Sequence, residues 1–162
     1  GHRFALEAIS KSKTSLLLVI AGDGPQEDSL KAEVIRLGIQ ERVKFVGYQE
    51  DPSTFLCALD IFIQPSYANE GLSQSLMQAM SMGLPVIASD IGGLNEMVTH
   101  DVNGILVPSR NSNLLRDAMD RLADRNQVRK ILGINARNYA LAHFSIEAMA
   151  SKVHGILESC VK

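Results

Sequence analysis

An acidic residue, Glu70, stands in a loop directly ahead of an amphipathic pattern that predicts a helix over Leu72–Met82. The first turn of a helix has unpaired N–H groups and a partial positive charge, and both favour a phosphate. A carboxylate repels a phosphate, so Glu70 is better placed to accept hydrogen bonds from hydroxyl groups, as on a sugar. The alternative is an ordinary solvated loop acid. We expect the phosphate-binding groups, including a serine hydroxyl, at Gly71, Leu72, Ser73 and Gln74.

Two glutamines of this predicted helix are four residues apart. Gln74 and Gln78 therefore share one face. A polar side chain on the ligand side could bond the hydroxyl groups of a ribose, and Gln78, eight residues after Glu70, is the candidate. The alternative is that Gln78 faces solvent. The inner face of the helix should be apolar, at Leu72, Leu76, Ala79 and Met80.

Two glycine-containing turns follow apolar runs. Gly22 and Gly24 permit a tight turn and a close backbone approach to a ligand, although a plain strand-to-helix turn would use the same residues. Gly47 and Tyr48 could border a base or a ribose; otherwise the tyrosine packs on the surface. Because residue 27 is Glu, the first turn lacks the GxGxxG fingerprint, and a Rossmann dehydrogenase is disfavoured.

The remaining polar residues favour structural roles. Gly92 and Gly93 form another loop-to-helix start, for which a ligand contact and a structural role both remain open. Glu96 suits the first turn of that helix by its charge alone. The histidines lack ligand spacing and a visible nucleophile or carboxylate partner, so we predict no catalytic histidine and no metal site. They are His2, His100, His143 and His154.

The order of the patterns predicts an α/β fold. Apolar runs alternate with helical periodicities, which is typical of βαβ units and a parallel sheet. The expected strands are Ser15–Ala21, Val43–Val46, Ile61–Gln64, Pro85–Ser89 and Gly104–Val107. The expected helices are Arg3–Ser10, Gln26–Leu37, Pro52–Leu59, Leu72–Met82, Gly93–Val98, Asn113–Ala123, Gln127–His143 and Ile146–Ser159. Ligands bind at the carboxyl ends of the strands in such sheets, where the glycines and the acidic loop fall.

The composition is that of an ordinary globular chain. It has 162 residues, of which 46% are hydrophobic and 21% charged, enough for one domain with a core. The net charge of −2 gives no reason to expect nucleic-acid binding. Cys57 and Cys160 lack metal or redox spacing, so we expect reduced thiols and a cytoplasmic protein. No apolar run reaches the about 18 residues of a membrane helix.

Several motifs together are specific. They are the long segment Pro65–Glu96, GDGP at Gly22–Pro25, RVKFVGY at Arg42–Tyr48, NGILV at Asn103–Val107 and HFS at His143–Ser145. With them, nearly the whole chain resembles the carboxyl-terminal domain of a GT-B retaining glycosyltransferase of the group 1 (family 4) type. This resemblance implies that residues 1–162 form a single Rossmann-like three-layer α/β/α domain that holds a nucleotide-sugar donor. A facing amino-terminal domain would hold the acceptor.

The resemblance also implies roles for individual residues. Glu70 matches the first glutamate of the family's E-x7-E motif, which contacts hydroxyl groups of the donor sugar, and it is the catalytic candidate. The amides from Gly71 to Gln74 would meet the diphosphate. Gly22 would come close to the donor, and Gly47 and Tyr48 would lie beside the base.

Three features depart from the family pattern. Gln78 stands where the motif has its second, ribose-binding glutamate, and an amide lacks the paired acceptors of a carboxylate. Ser73 replaces the last glycine of the EGFG segment. The family's basic pair for the diphosphate has no counterpart. Because the helical pattern already begins at Gly1, we expect that pair, a preceding strand and the acceptor domain outside these residues.

The expected function is transfer of a sugar, with retention, from a UDP- or GDP-sugar to a glycan or lipid-linked acceptor in polysaccharide or lipopolysaccharide synthesis. The nucleotide sugar is a substrate, and no cofactor or metal is expected. The missing domain is expected to hold the acceptor and to provide any contact with the inner face of the membrane. This chain alone should bind donor weakly and catalyse nothing. The alternatives are a non-catalytic nucleotide-sugar-binding module and a sugar-nucleotide epimerase of the same fold.

Overall fold

The computed structural model of the chain describes residues 1–68 and 70–160. Asn69 of the acidic loop, and Val161 and Lys162 at the end of the expected domain, lie outside the described residues. The strands are β1 Leu18–Ala21, β2 Val43–Gly47, β3 Phe62–Gln64, β4 Val86–Ser89 and β5 Ile105–Val107. The helices are α1 His2–Lys11, α2 Glu27–Leu37, α3 Pro52–Cys57, α4 Gln74–Ser81, α5 Leu94–Met97, α6 Ser112–Asp124, α7 Asn126–His143 and α8 Ile146–Cys160.

Each expected strand and helix is present, and the differences lie at the ends. The first strand begins at Leu18 rather than Ser15, because its partner β2 begins opposite it at Val43. The residues before Leu18 bond differently: the Arg42 guanidinium donates to the carbonyl oxygens of Ser12 and Thr14 at 3.1 and 2.8 Å. A short 3₁₀ helix that the sequence analysis did not predict, Gln40–Arg42, places that arginine.

The strands run parallel but form two separate hydrogen-bonded groups. One contains β1 and β2, and the other has the order β3–β4–β5. In the first, Leu18 lies opposite Val43; in the second, Ile87 pairs with both Ile63 and Ile105. Over the described residues no ladder joins β1 to β3. The parallel strands expected from the sequence are therefore present, divided between two ladders.

The central strand β4 shows how the layers are built. All four of its residues are buried, and successive side chains point to opposite faces. Ile87 packs into a core cluster with α1, α2 and α6, whereas Val86 and Ala88 pack into a second cluster with α4, α5 and α7. The strands thus lie between two helical layers. The Rossmann-like three-layer α/β/α fold predicted from the resemblance is confirmed.

Two helices of the second layer approach each other closely. Gly83, with φ of 78°, follows α4, and Gly133 lies within α7. A Cβ atom on Gly133 would lie 2.2 Å from the carbonyl oxygen of Gly83. Arg137 of the same helix donates to the carbonyl oxygen of Ser81 at 2.7 Å. These contacts fix α4, and with it the acidic loop that precedes it.

Among the helices of residues 1–68 and 70–160, none combines the length and the apolar character needed to cross a bilayer.

Candidate functional site

The loops at the carboxyl ends of β1 and β2 are joined through their glycines. The Gly22 N–H donates to the Gly47 carbonyl oxygen at 2.8 Å. Both residues have positive φ, 120° and 67°, which glycine adopts without strain. Tyr48 is 70% exposed and borders a cavity together with Gly22. Gly24 is exposed in the adjoining turn, where its carbonyl oxygen accepts from the Glu27 N–H at 3.1 Å.

The Glu70 carboxylate lies half-buried at the carboxyl end of β3. Its two oxygens accept hydrogen bonds from Gln64 Nε2 at 3.2 and 3.3 Å, and one also accepts from the Ser66 hydroxyl. Gln64 Oε1 in turn accepts from the Ser75 hydroxyl at 3.2 Å. One amide side chain therefore links the carboxylate to the first turn of α4.

The backbone of the acidic loop is held by the glycine pair. The Gly93 N–H donates to the Glu70 carbonyl oxygen at 2.8 Å. A Cβ atom on Gly92 would lie 2.4 Å from that oxygen, and one on Gly93 would lie 2.6 Å from the Gly71 carbonyl oxygen. Larger residues would push the two loops apart. This structural role settles why two glycines stand together here.

The start of α4 presents backbone donors. Ser73 is 5% exposed and caps the helix, with its Oγ accepting from the Leu76 N–H at 3.3 Å. The N–H groups of Gln74 and Ser75 have no partner among the described residues. Because they stand in the first turn beside exposed Gly71, they are available to an anion.

One packing prediction for this segment is wrong. Leu72 was expected on the inner face of the helix, but it is 58% exposed. The reason is that Ser73 ends the loop and α4 begins only at Gln74, so Leu72 is outside the helical repeat. The other predicted inner residues, Leu76, Ala79 and Met80, are fully buried. The helix therefore anchors firmly while the residues just before it stay accessible.

The two glutamines lie on the exposed face of α4. Both side chains are exposed, and they share one face of the helix. Gln78 lines the same cavity as Ser75, Gln64 and Tyr48, whereas Gln74 is in the first turn, beside the free amides. An amide at position 78 can donate to and accept from a hydroxyl group at the cavity mouth.

The arrangement gathers a helix start with free N–H donors, a hydrogen-bonded carboxylate and two open glycine loops at one edge. The sequence profile of the family described as glycosyl transferases group 1 matches residues 1–139. The chain belongs to this family. The predicted resemblance to a GT-B carboxyl-terminal domain is also confirmed, since this group 1 chain corresponds to the carboxyl-terminal half of larger GT-B glycosyltransferases.

Three relatives illustrate the match. The lipopolysaccharide core biosynthesis glycosyltransferase LpsE of Rhizobium meliloti is 26% identical over 159 residues, 98% of this chain and 46% of that protein. The UDP-Gal:alpha-D-GlcNAc-diphosphoundecaprenol alpha-1,3-galactosyltransferase of Escherichia coli is 30% identical over 138 residues, 85% and 35% of the two proteins. The crystal structure of Anabaena HepE with UDP has a TM-score of 0.92 at 27% identity, covering 98% of this chain and 45% of HepE. This chain thus spans less than half the length of these relatives.

The group 1 chain has two site residues that sequence reasoning missed, Gln64 and Ser66. Gln64 is a polar residue at the end of an otherwise apolar run, and Ser66 stands four residues before Glu70. That polar ending was the available signal. It was not read as part of the site because only the turn at Pro65 brings these side chains back onto the carboxylate.

Positive charge also reaches this edge of the glycosyltransferase chain. The guanidinium groups of Arg3 and Arg110 lie 5.6 and 5.4 Å from the ring centre of Tyr67. The loop of Arg110 is tied to the site, since the Ser109 hydroxyl donates to the Ser66 carbonyl oxygen at 3.3 Å. The sequence analysis placed the basic groups outside the chain and did not consider these two.

Metal ligands and thiols do not converge at this edge. In the described part of the chain, no group of three or more His, Cys, Asp or Glu side chains could hold a metal ion. Cys57 and Cys160 are both exposed, free thiols.

Proposed function

We propose that this chain is the donor-binding domain of a retaining glycosyltransferase that uses a nucleotide diphosphate sugar. The observation that carries the proposal is the juxtaposition of the Glu70 carboxylate with the open N–H groups of Gln74 and Ser75. A sugar nucleotide has both an anion and a row of hydroxyl groups, and this edge offers a partner for each. HepE, similar in fold, has also been crystallised with UDP-glucose, at a TM-score of 0.90 and 27% identity.

The diphosphate would bind at the start of α4. The helix dipole contributes ~0.3–1 kcal/mol to such binding, and about 2 kcal/mol where the anion is partly buried. Each charge-assisted hydrogen bond contributes ~1.5–3 kcal/mol. The amides of Gln74 and Ser75 therefore provide most of the binding energy, and Arg3 and Arg110 add long-range attraction from the same edge.

The sugar would bind at Glu70. An ionised carboxylate accepts hydrogen bonds only, so it pairs with hydroxyl groups and not with phosphate oxygens. In the present structure Gln64 and Ser66 donate hydrogen bonds to the Glu70 carboxylate and hold it at the edge of the sheet. Oε1 accepts only one of these bonds and keeps one further lone pair for a sugar hydroxyl, so binding does not require the network to break.

Catalysis would act on the leaving group. As the bond from the sugar to the diphosphate breaks, negative charge grows on the diphosphate and positive charge on the sugar ring. Preorganised N–H donors stabilise that negative charge better in the transition state than in the bound donor. Glu70 would keep the ring oriented while the acceptor attacks. Retention follows from the family resemblance and is part of the proposal.

The acceptor would be a glycan or a lipid-linked sugar held by a second domain in the cytoplasm, at the inner face of the membrane. The names of the Rhizobium and Escherichia coli relatives, which refer to lipopolysaccharide core and to a diphosphoundecaprenol acceptor, support this choice. Because the acceptor groups lie elsewhere, these 162 residues alone would bind donor weakly and have no transferase activity.

The test replaces the carboxylate in the full-length protein. Glu70→Ala should lower kcat/KM about 100-fold or more with the best donor of a UDP- and GDP-sugar panel, because an organised polar partner is lost from the transition state. Glu41→Ala is the matched control, since Glu41 is exposed on the 3₁₀ helix at the opposite end of β2. Wild-type kinetics in Glu70→Ala would refute the role of this residue.

A non-catalytic nucleotide-sugar-binding module is the second candidate, favoured by Gln78 in place of a carboxylate at the cavity mouth. Calorimetry of nucleotide binding together with an assay of sugar transfer separates the two candidates. A module would bind UDP or GDP in the full-length protein while no donor in the panel gives a transferred sugar with any acceptor tested. A transferase would bind the nucleotide and also transfer a sugar from at least one donor.

A further inference from the structure

Two arginine side chains and one tyrosine ring form a cluster at the carboxyl edge of the strands. The guanidinium groups of Arg3 and Arg110 lie 5.6 and 5.4 Å from the ring centre of Tyr67, within the range of cation–π contacts. Arg3 comes from the first turn of α1, Tyr67 from the loop after β3 and Arg110 from the loop after β5. Three separate elements therefore bring two positive charges to one ring.

The protein does not neutralise the positive charge of this arginine cluster. In the described part of the chain, neither Arg3 nor Arg110 takes part in an ion pair, whereas Arg116 and Arg121 each pair with an aspartate. The guanidinium hydrogen bonds in that part also come from other arginines. A guanidinium has N–H donors in a planar fork that matches a phosphate or a carboxylate. The cluster therefore offers unused donors to an oxyanion.

The backbone of Arg110 is held in an unusual conformation. Its φ of 61° lies in the left-handed region, which glycine adopts without strain and other residues rarely adopt. On one side, the Ser109 hydroxyl donates to the Ser66 carbonyl oxygen at 3.3 Å. On the other side, Asn111 caps α6 by accepting from the Leu114 N–H at 3.0 Å. An arginine thus stands where the backbone favours a glycine, which indicates a role for its side chain.

The tyrosine ring is supported by the core. It packs edge-on against Phe4, with ring centres 6.1 Å apart and an angle of 68° between the planes. Phe4 is only 9% exposed, whereas Tyr67 is 40% exposed. The guanidinium of Arg3 also lies 4.7 Å from the ring centre of Phe4. Guanidinium groups held on a fixed aromatic pair lose less entropy when they bind an anion than free side chains do.

The arginine cluster and the start of α4 lie on opposite sides of the strands. Side chains of α1 and α6 pack in one core cluster, and those of α4 pack in the other. The Glu70 carboxylate lies between these layers, held by Gln64 at the end of β3. Ser66 connects it to the cluster, since its hydroxyl donates to Glu70 while its carbonyl oxygen accepts from Ser109. Anions at the two places would therefore lie on different sides of this carboxylate.

We propose that Arg3, Tyr67 and Arg110 form a second oxyanion site, which binds a phosphate or carboxylate group of the acceptor while the donor diphosphate occupies the start of α4. The acceptor role rests on the proposed transferase function, and the anion site itself rests on the unpaired guanidinium groups. Their attraction for the donor diphosphate is long-range, whereas the acceptor anion contacts them directly. A neutral acceptor leaves both groups unpaired, so the site favours acidic acceptors.

The first test measures sugar transfer by the full-length protein to three acceptors: a neutral glycoside, its phosphate ester and the corresponding uronic acid. Arg110→Gln should raise the KM of the two acidic acceptors at least about tenfold, because charge-assisted hydrogen bonds are lost. The KM of the neutral acceptor and of the donor should not change. A larger effect on one of the acidic acceptors identifies whether the site prefers phosphate or carboxylate.

Two further variants control this test. Arg110→Gly should cause the same loss although it relieves the positive φ, so a folding defect cannot explain the result. Lys13→Gln removes one exposed positive charge ahead of β1, at the opposite end of the strands, and should leave every KM unchanged.

The second test does not depend on catalysis. Phenylglyoxal modifies accessible arginines, and mass spectrometry of the peptides gives the rate at each residue. In the full-length protein saturated with UDP or GDP, inorganic phosphate should slow the modification of Arg3 and Arg110 at least about threefold, because an occupied site is shielded. Arg125, which is exposed between α6 and α7, is the control and should keep its rate.

Three results would overturn the proposal. Protection of Arg110 by UDP or GDP alone, as strong as that by phosphate, would assign the arginines to the donor diphosphate. An unchanged rate at both arginines with phosphate added would mean that no anion binds there. Equal losses with neutral and acidic acceptors in Arg110→Gln would show a structural role. By contrast, protection by phosphate in a protein that transfers no sugar would support the oxyanion site and contradict the transferase function.

Discussion

At the residue scale, the Gln64 amide links the candidate catalytic carboxylate to the start of α4. Gln64 donates to both oxygens of Glu70 and accepts from Ser75 at the start of α4. The proposed sugar and diphosphate sites are thereby coupled through a single side chain. In the proposed mechanism Gln64 is thus a positioning residue, since it would act on the reacting groups through Glu70.

Replacing Gln64 by Leu in the full-length protein should lower kcat/KM about 30-fold, because Glu70 loses two hydrogen bonds of ~1 kcal/mol each and every ~1.4 kcal/mol is a factor of ten. The effect should vanish when Glu70 is already Ala, since residues of one network are not additive. Steady-state kinetics of the two single variants and the double variant measure this. Gln40→Leu, on the exposed 3₁₀ helix, is the control. Additive losses in the double variant would contradict a role through Glu70.

The sequence could predict Glu70 but not the residues that hold it. An acid in the loop before a helix is visible in the printed order. The contacts of Gln64 and Ser66 depend on how the loop folds back after β3, and the order of residues does not contain that geometry. The same holds for Gly92 and Gly93. These positions leave no room for a Cβ atom because the backbone of Glu70 and Gly71 lies against them.

At the element scale, the packing of α4 against α7 requires a glycine at position 133 of α7. A Cβ atom on Gly133 would lie 2.2 Å from the Gly83 carbonyl oxygen, which is backbone and cannot turn aside. By contrast, a Cβ atom on Gly155 in α8 meets nothing within 4 Å. The two glycines therefore provide opposite tests of the same substitution.

Gly133→Ala should lower the free energy of unfolding by about 1–3 kcal/mol, because the strain of an overpacked contact exceeds the gain in helix propensity. Gly155→Ala should raise it or leave it unchanged, since alanine favours a helix over glycine by roughly 1 kcal/mol. Urea unfolding of each variant measures both values. The same sign and size for the two variants would show that α4 and α7 do not touch as described.

The cap of α3 makes stability depend on acid pH. Asp51 accepts from the Ser53 N–H at 3.0 Å and from the Thr54 hydroxyl at 2.5 Å. Hydrogen bonds from Ser53 and Thr54 lower the pKa of Asp51 to about 2, from an ordinary value of 3.8. The folded state therefore favours the ionised form. Its contribution is complete above pH 3.8 and is lost as the pH falls towards 2.

We therefore expect Asp51→Asn to be less stable than the wild type at neutral pH, with the difference shrinking as the pH falls from about 4 to about 2. Thermal unfolding of both proteins across this range measures the difference. A difference that stays constant down to pH 2 would mean that the charge of Asp51 does not contribute.

At the scale of the whole molecule, the sequence predicted the order of elements better than their adjacency. Alternating apolar runs and helical periods reflect strands covered on both faces, and that pattern is local. Which strands share a ladder is not local. The register of Leu18 with Val43 shortened β1 at its start, and the order of the patterns did not show that β1 and β3 would have no ladder between them in the described residues. The fold class could therefore be predicted from the sequence, and the grouping of the strands into two ladders could not.

The last helix, α8, contributes no buried side chain to the core of the domain. None of the side chains of Ile146–Cys160 is buried, and several large apolar ones are exposed, such as Ile146 at 75%. A chain that ends at Ser145 should therefore keep its free energy of unfolding within about 0.5 kcal/mol, as for changes at exposed positions. A chain that ends at Arg125 also loses the buried residues of α7, among them Leu132 and Ala136, and should not unfold cooperatively. Urea unfolding of the three chains decides the point. A large loss of unfolding free energy in the chain that ends at Ser145 would mean that α8 packs against the domain more tightly than its exposure indicates.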